Sequence, residues 1–208
     1  KDQRPYAGYL YLRFGFHART AERLDSVEVD FGIVGPASLA QQTQNLIHDI
    51  RNIDRFNGWR NQLDNEATLQ LTYENKRRLF KGDLFTGLQH DFISHAGAAL
   101  GTVSSYLNMG GEYRLGWGLP EDLVASAVRP AGDNMAPGAG AVRLTVQDRW
   151  LYGVHGFVSL DGRALANNIF LDGNNWRDSH SVDKRYFVAD IAIGVSFLVQ
   201  QWKVSYAH

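Results

Sequence analysis

The stretch FVADIAIGVSFLV, residues 187–199, decides the fold of this sequence. Its apolar residues recur at every second position, and the positions between them hold mostly small or charged residues. The two sets are Phe187, Ala189, Ile191, Ile193, Val195, Phe197 and Val199 against Val188, Asp190, Ala192, Gly194 and Ser196. A repeat of two residues predicts a β-strand with one apolar face.

The same alternation recurs along most of the chain. The clear runs are 10–16, 27–33, 67–76 and 152–160, the less regular ones are 84–100 and 106–117, and a last run begins at Gln201. Several runs approach or exceed about ten residues, whereas strands of globular sheets usually have about five or six. The sequence therefore predicts an all-β protein of about eight long antiparallel strands.

The second face of these strands carries charged residues, which favours a transmembrane barrel. The charged residues are Glu28, Asp30, Glu74, Lys76 and Asp190, and aromatic residues such as Tyr9, Trp117, Tyr186 and Trp202 stand near strand ends. A barrel in a membrane turns its apolar face outward and its polar face inward, with aromatic residues at both interfaces. The alternative is a soluble ligand-binding barrel, which would bury the same apolar face.

Composition removes several classes of function. The chain has 208 residues, with 21 Lys and Arg against 22 Asp and Glu, so its formal net charge is −1 and nucleic acid is not expected as a partner. It has no cysteine, which excludes disulfides and thiol catalysis. No HExxH, GxSxG or glycine-rich phosphate loop occurs. We interpret residues 1–208 as a single barrel domain cut from a longer protein at both ends.

The connections between the predicted strands are unequal in length. Tight turns are predicted at 18–22 and 80–83, and long polar connections at 35–65 and 166–185. Outer-membrane barrels place short turns in the periplasm and long loops outside. The strand count puts both long loops on the outer side. It puts a third long connection, 118–148, on the side of the short turns.

The first long loop contains the one predicted helix. Ser38 is predicted as its N-cap, with Gln41 three residues later as in a capping box, and the helix is expected to run to about Ile53. Leu39, Leu46, Ile50 and Ile53 mark one side, and Gln41, Gln44, Asn45, His48 and Asn52 mark the other. Gln44 and His48 are four residues apart, so their side chains are neighbours. His48 is either a functional group or an ordinary exposed polar residue.

The second long loop is rich in Asn and Asp. Asp172 and Asn174 are candidate calcium ligands, because calcium prefers oxygen donors. The spacing does not match an EF-hand, and Asx turns explain such a loop equally well.

Four motifs together resemble the lipid A 3'-O-deacylase family of Gram-negative outer membranes. They are DQRPYAGYLY (2–11), GIVGPASLAQQTQNLIH (32–48), GWRNQLDNE (58–66) and NIFLDGNNWRDSHSVDK (168–184). The resemblance implies a twelve-stranded barrel whose active site faces the outer leaflet. It also implies calcium-dependent hydrolysis of the ester that links an acyloxyacyl group to the 3' position of lipid A, so lipopolysaccharide and outer-membrane lipid are the expected partners.

The resemblance also assigns site residues. His48 matches the catalytic histidine of the family, Gln44 matches the glutamine one turn before it, and Arg4 lies about where the family has a basic residue. An Asn-Asp pair that helps to bind calcium in the family is expected before Lys1. The alternative function is a passive outer-membrane channel or scaffold barrel without catalytic activity.

Overall fold

The computed structural model describes residues 3–123, 151–199 and 202–208, and these form one antiparallel sheet of eight strands. Each strand pairs with the next one in the chain. The strands are β1 (Tyr9–Arg19), β2 (Arg23–Val34), β3 (Glu66–Phe85), β4 (Leu88–Gly101), β5 (Ser104–Trp117), β6 (Leu151–Asn168), β7 (Phe187–Val199) and β8 (Trp202–Ala207). The predicted all-β fold with about eight antiparallel strands is confirmed, and β7 has the bounds that the alternation predicts.

The faces of the sheet are inverted relative to a soluble protein. Exposed large apolar side chains include Leu12, Phe14, Phe16, Phe31, Leu69, Leu71, Leu107, Met109, Val158, Leu160, Ile191, Ile193 and Val204. Buried polar side chains on the same strands include Asp30, Thr68, Gln70, Lys76, Asp91, His95, Glu112, Arg114, His155 and Ser196. The polar face therefore lies inside the curled sheet, as the predicted membrane barrel requires, and the alternative of a soluble barrel that buries the apolar face does not fit. Within the described ranges, no helix combines the length and apolar character needed to cross a membrane.

Ion pairs satisfy the charges on the inner face. Arg114 and Asp91 are both fully buried, and the guanidinium donates from Nε and Nη2 to the two carboxylate oxygens at 2.8 and 2.5 Å. Arg13 on β1 pairs with Asp30 on β2 in the same two-pronged way. A buried charge without such a partner is strongly destabilising, so these pairs make the polar interior tolerable.

The segment 119–123, which follows β5, lies across the inner face. Arg19 of β1 donates to the Glu121 carbonyl, and Lys203 of β8 donates to the Asp122 carboxylate at 3.1 Å. Leu123 is fully buried in a cluster with Leu24 and Ile93. The connection after β5 is at the end of the short turns, as the strand count predicts, and residues 124–148 of it lie outside the described residues.

One predicted turn is wrong. Residues 80–83 continue β3, where Gly82 pairs with His90 of β4, and the chain reverses at 86–87. Gly87 has φ 81°, a backbone angle that favours glycine in the tight turn. The Lys-Gly-Asp sequence of 81–83 resembles a turn but instead continues the alternation of the strand.

The helix in the first long loop, α1, spans Ala40–Ile50, so it is shorter than predicted at both ends. Ser38 is not its N-cap, because the Ser38 hydroxyl donates to the Gly35 carbonyl at 2.6 Å within a 3-10 turn at Pro36–Ser38. Leu39 then adopts a left-handed conformation with φ 59° immediately before α1. A second 3-10 turn (Gly58–Asn61) and a single-turn helix, α2 (Ile169–Asp172), occur in the long loops, and the sequence did not predict them.

Because the apolar face of the sheet points outward, the same charge should destabilise the protein to different extents at two neighbouring positions of β7. Ile193, at the middle of the strand, points outward, and Ala192 points inward. We expect Ile193→Arg to destabilise the barrel in phospholipid vesicles by about 2–4 kcal/mol, the cost of Arg near the bilayer midplane. Ala192→Arg, the matched control, should cost markedly less. Urea unfolding followed by heat-modifiable gel mobility measures both, and equal losses would contradict the assigned faces.

Candidate functional site

A small apolar cluster supports the loops at the end of the barrel that carries the two long loops. It joins buried Val34 at the end of β2, Leu63, Val103 between β4 and β5, and Ile169 of α2. Because each residue comes from a different loop or strand end, the cluster fixes the loops relative to the barrel. The first long loop therefore starts from and returns to a packed base.

The two long loops are also joined by hydrogen bonds around Asn174. The Asp64 amide donates to Asn174 Oδ1 at 3.0 Å, and Asn174 Nδ2 donates to the Asp64 carbonyl at 3.0 Å and to Glu66 Oε2 at 3.1 Å. Asn175 Nδ2 donates to Glu66 Oε1 at 2.6 Å. Buried Glu66 thus accepts from both asparagines. These bonds hold the chain that leaves the 3-10 turn at Gly58–Asn61.

The segment before β1 packs against this 3-10 turn. The Leu63 amide donates to the Tyr6 carbonyl at 2.9 Å, and the Tyr6 and Trp59 rings meet edge to face with centroids 5.4 Å apart. Gly58 makes the approach possible, because a Cβ there would lie 2.1 Å from the Tyr6 ring. Tyr6 and the turn together hold the Trp59 indole in a buried position.

Trp59 orients Gln44 on α1. The indole Nε1–H donates to Gln44 Oε1 at 2.7 Å. An indole can only donate, so the amide oxygen must face Trp59 and the amide NH₂ must point elsewhere. This contact fixes the orientation of the Gln44 amide, with its NH₂ available as a donor.

His48 lies one helical turn after Gln44 on the same half-buried face. Its Nδ1 is 2.7 Å from the Asp54 carbonyl oxygen, and the Phe56 ring meets the imidazole edge to face at a centroid distance of 4.9 Å. A carbonyl only accepts hydrogen bonds, so the proton of the neutral ring is on Nδ1 and Nε2 carries the lone pair. Nε2 is therefore the ring nitrogen that can accept a proton.

An ion pair between Arg55 and Asp49 holds the segment that carries Asp54 against α1. Arg55 Nε donates to Asp49 Oδ1 at 2.8 Å, which brings the chain after α1 back onto the helix. The Arg55 guanidinium also holds the pKa of the Asp49 carboxyl below its ordinary value. The pair lies beside the bond between His48 and Asp54, and both contacts define the same turn.

Arg4, the third predicted site residue, is at the same end of the barrel but is exposed. Its neighbours in the chain are fixed, because His180 hydrogen bonds to the Gln3 carbonyl at 2.8 Å and Tyr6 contacts Trp59. The Arg4 guanidinium has no hydrogen bond or ion pair with any residue that the structure describes. It is therefore available to an anion, but no contact joins it to His48.

The candidate calcium ligands are engaged in other contacts. The Asp172 carboxylate pairs with Lys184 and accepts from the Asn168 amide at 2.7 Å, and Asn174 joins the two loops as described above. Among residues 3–123, 151–199 and 202–208, no group of three or more His, Asp or Glu side chains could hold a metal ion. Both candidate ligands are therefore already used in contacts within the protein.

Sequence reasoning grouped Gln44 and His48 correctly on one face but missed the groups that orient them. The sequence analysis assigns no site role to Trp59, and the Asp54 contact uses a backbone carbonyl that no side-chain pattern reveals. The one available signal was that Tyr6 and Trp59 both lie in motifs that carry the resemblance.

Fold and site together define a membrane β-barrel with a histidine-bearing helix in a long loop at one end. The chain belongs to the family described as outer membrane protein LpxR, whose sequence model matches residues 1–208. A solved structure of LpxR from Salmonella typhimurium superposes with a TM-score of 0.73 at 18% identity, over 98% of this chain and 66% of that one. This chain thus spans slightly less than two thirds of the Salmonella protein. Comparison with curated protein sequences finds no match.

The contact with Asp54 predicts the tautomer of His48. In protein labelled with ¹⁵N-histidine, at a pH where the ring is neutral, the Nδ1 resonance of His48 should have the shift of a protonated nitrogen and Nε2 that of an unprotonated one. The spectrum of His48→Ala assigns the signals by their loss. Protonation on Nε2 would contradict the arrangement around this residue.

Proposed function

We propose that the protein is a lipid A 3'-O-deacylase, an esterase that removes the 3'-linked acyloxyacyl group from lipid A of lipopolysaccharide. The observation that carries the proposal is the hydrogen bond from His48 Nδ1 to the Asp54 carbonyl, which leaves Nε2 as a base. Membership of an outer-membrane protein family supports a lipid substrate. The resemblance described above supports the choice of the 3' ester.

In the proposed reaction, His48 Nε2 takes a proton from a water molecule as the water oxygen attacks the ester carbonyl carbon. A positioned base of this kind typically contributes about 10²–10⁴-fold to the rate. When the tetrahedral intermediate collapses, the bond to the 3' oxygen of the sugar breaks and the imidazolium returns the proton to that oxygen. The products are the free acyloxyacyl acid and a 3' hydroxyl.

The roles of the neighbouring residues follow from their contacts. The NH₂ group of Gln44, turned away from Trp59, donates to the carbonyl oxygen that becomes negative in the intermediate. Arg4, exposed and without a partner among the described residues, binds a phosphate of lipid A. In this proposal the active site faces the outer leaflet, where lipid A is located, and acyl chains reach it laterally along the apolar wall.

The alternative function is a passive channel, and the contacts of the segment 119–123 on the inner face argue against it. The segment 119–123 bonds to both edge strands of the described sheet, through Arg19 and Lys203. Arg78 of β3 also donates to the Asp122 carbonyl at 2.8 Å. A chain segment held across the inner face by these bonds obstructs the path that a solute would take.

The first test replaces the base. His48→Ala should leave heat-modifiable mobility intact and lower ester hydrolysis by about 10²–10⁴-fold, the usual contribution of a positioned base. Mass spectrometry of lipid A measures loss of the 3'-linked group. His17→Ala, on β1 at the opposite end and bonded to Ser26, is the matched control and should keep its activity. Hydrolysis retained by the His48 variant would refute the proposed role.

Calcium, implied by the resemblance, is a separate part of the proposal, and its ligands are expected outside the described residues. Calcium bound at the ester would help to neutralise the oxyanion. Chelation with EGTA should therefore stop deacylation by the full-length protein in outer-membrane vesicles, and added calcium should restore it. Magnesium at equal concentration is the control. Turnover that is unaffected by EGTA would remove calcium from the proposal while leaving His48 as the base.

A further inference from the structure

Helix α1 turns its apolar residues away from the protein. Leu46, Ile47 and Ile50 are exposed, with Ile50 75% exposed, and Ile53 just beyond the helix is exposed as well. The half-buried residues are the polar ones on the opposite side, Gln41, Gln44, Asn45 and His48. A surface helix of a soluble protein has the reverse arrangement, with its apolar stripe toward the core.

This arrangement repeats that of the strands. On α1 as on the barrel wall, the large apolar side chains point outward, and the half-buried side chains are mainly polar. Gln42, Thr43 and Asp49 of α1 are exposed as well. We infer that the apolar face of α1, formed by Leu46, Ile47, Ile50 and Ile53, is a lipid-contacting surface embedded among the acyl chains of the leaflet at that end of the barrel. The inference rests on the orientation given under the proposed function, in which the long loops face the outer leaflet.

The first residue of α1 lies beside the ends of β1 and β2. Gly35, the 3-10 turn at Pro36–Ser38 and Leu39 separate α1 from β2. Ala40, its first residue, packs against Gly8 just before β1, where an added Cβ would lie 2.5 Å from the Ala40 Cβ. At this end of β1 and β2, the exposed residues Leu10 and Phe31 point outward. The same hydrocarbon that covers the wall can therefore cover the helix.

The groups that follow the helix suit a lipid interface. Arg51 comes directly after α1 and is exposed, whereas Arg55 four residues later is paired with Asp49. Basic side chains at the edge of an apolar surface extend toward lipid phosphates while their stems stay in the apolar region. Phe56, which contacts His48, is also exposed and adds to the apolar surface at this point.

An embedded helix would determine the substrate class. With its apolar face among acyl chains, α1 would turn its opposite face, which carries His48, away from the hydrocarbon and toward Trp59 and the chain at Asp54. The site then takes an ester of a membrane lipid that enters sideways from the leaflet, and a water-soluble ester of the same chemistry is not held at Nε2.

Spin labels can test the depth of the helix, because the chain has no cysteine and each introduced one is a unique label site. The label positions are Ile50→Cys on α1, Leu12→Cys on the barrel wall and Asp178→Cys in the exposed second long loop. Full-length protein in lipopolysaccharide-containing vesicles is exposed to oxygen, which concentrates in lipid, and to a water-soluble nickel chelate.

We expect the Ile50 label to lose nickel collisions and gain oxygen collisions, as the Leu12 label does, while the Asp178 label shows the opposite. Nickel access at Ile50 equal to that at Asp178 would overturn the inference. So would broadening of the Ile50 spectrum that disappears on dilution with unlabelled protein, because a second copy would then cover the face. Hydrolysis by His48→Ala is measured separately, so failure of the inference leaves the proposed function to its own test.

Discussion

Hydrocarbon offers no hydrogen bonds, and this constraint determines the rest of the structure. Every backbone N–H and C=O group that faces lipid must find its partner inside the sheet. The described strands satisfy the requirement along every shared edge, because each pairs with its sequence neighbour in antiparallel order from β1 to β8. Because the backbone hydrogen bonds are made within the sheet, the two faces of a strand differ only in their side chains. This is why the sequence of each long strand alternates between apolar and polar residues.

The sorting creates a second requirement, because the polar side chains are now enclosed. The inner face meets it with paired charges such as Arg114 with Asp91 and Arg13 with Asp30, whose geometry satisfies both partners. The segment 119–123 adds the carboxylates of Glu121 and Asp122, which pair with Arg78 and Lys203 respectively. A buried ion pair adds little net stability compared with an apolar pair, but removing one partner is costly. Each buried charge on the inner face therefore depends on its partner, because losing either one leaves the other without a counter-charge.

The sequence predicts the parts of the structure that depend on period and misses those that depend on single contacts. Period two gives β7 its bounds, because every position contributes to the pattern. The turn placed at 80–83 was wrong since a local composition resembling a turn was compatible with continued pairing, and Gly82 pairs with His90. Ser38 has the residue type of an N-cap, but its hydroxyl donates to the Gly35 carbonyl instead.

At the site, the spacing of four residues predicts that Gln44 and His48 are neighbours. Their partners Trp59 and Asp54 lie on the segment that follows α1 and folds back against it, which residue spacing cannot predict.

Helix α1 shows that the surroundings of an amphipathic helix determine which of its faces points toward the protein. The alternation of polar and apolar residues in α1 gives two faces, and on a soluble protein the apolar one would pack inward and expose His48 to water. Here Trp59 offers α1 a polar partner with its single N–H, and lipid is the apolar partner that we infer for the other side. Both faces then have a suitable environment only in the inverted orientation. In that orientation His48 is half-buried and bonded to the Asp54 carbonyl, so the rule that sorts the strands by face also accounts for the environment of its imidazole.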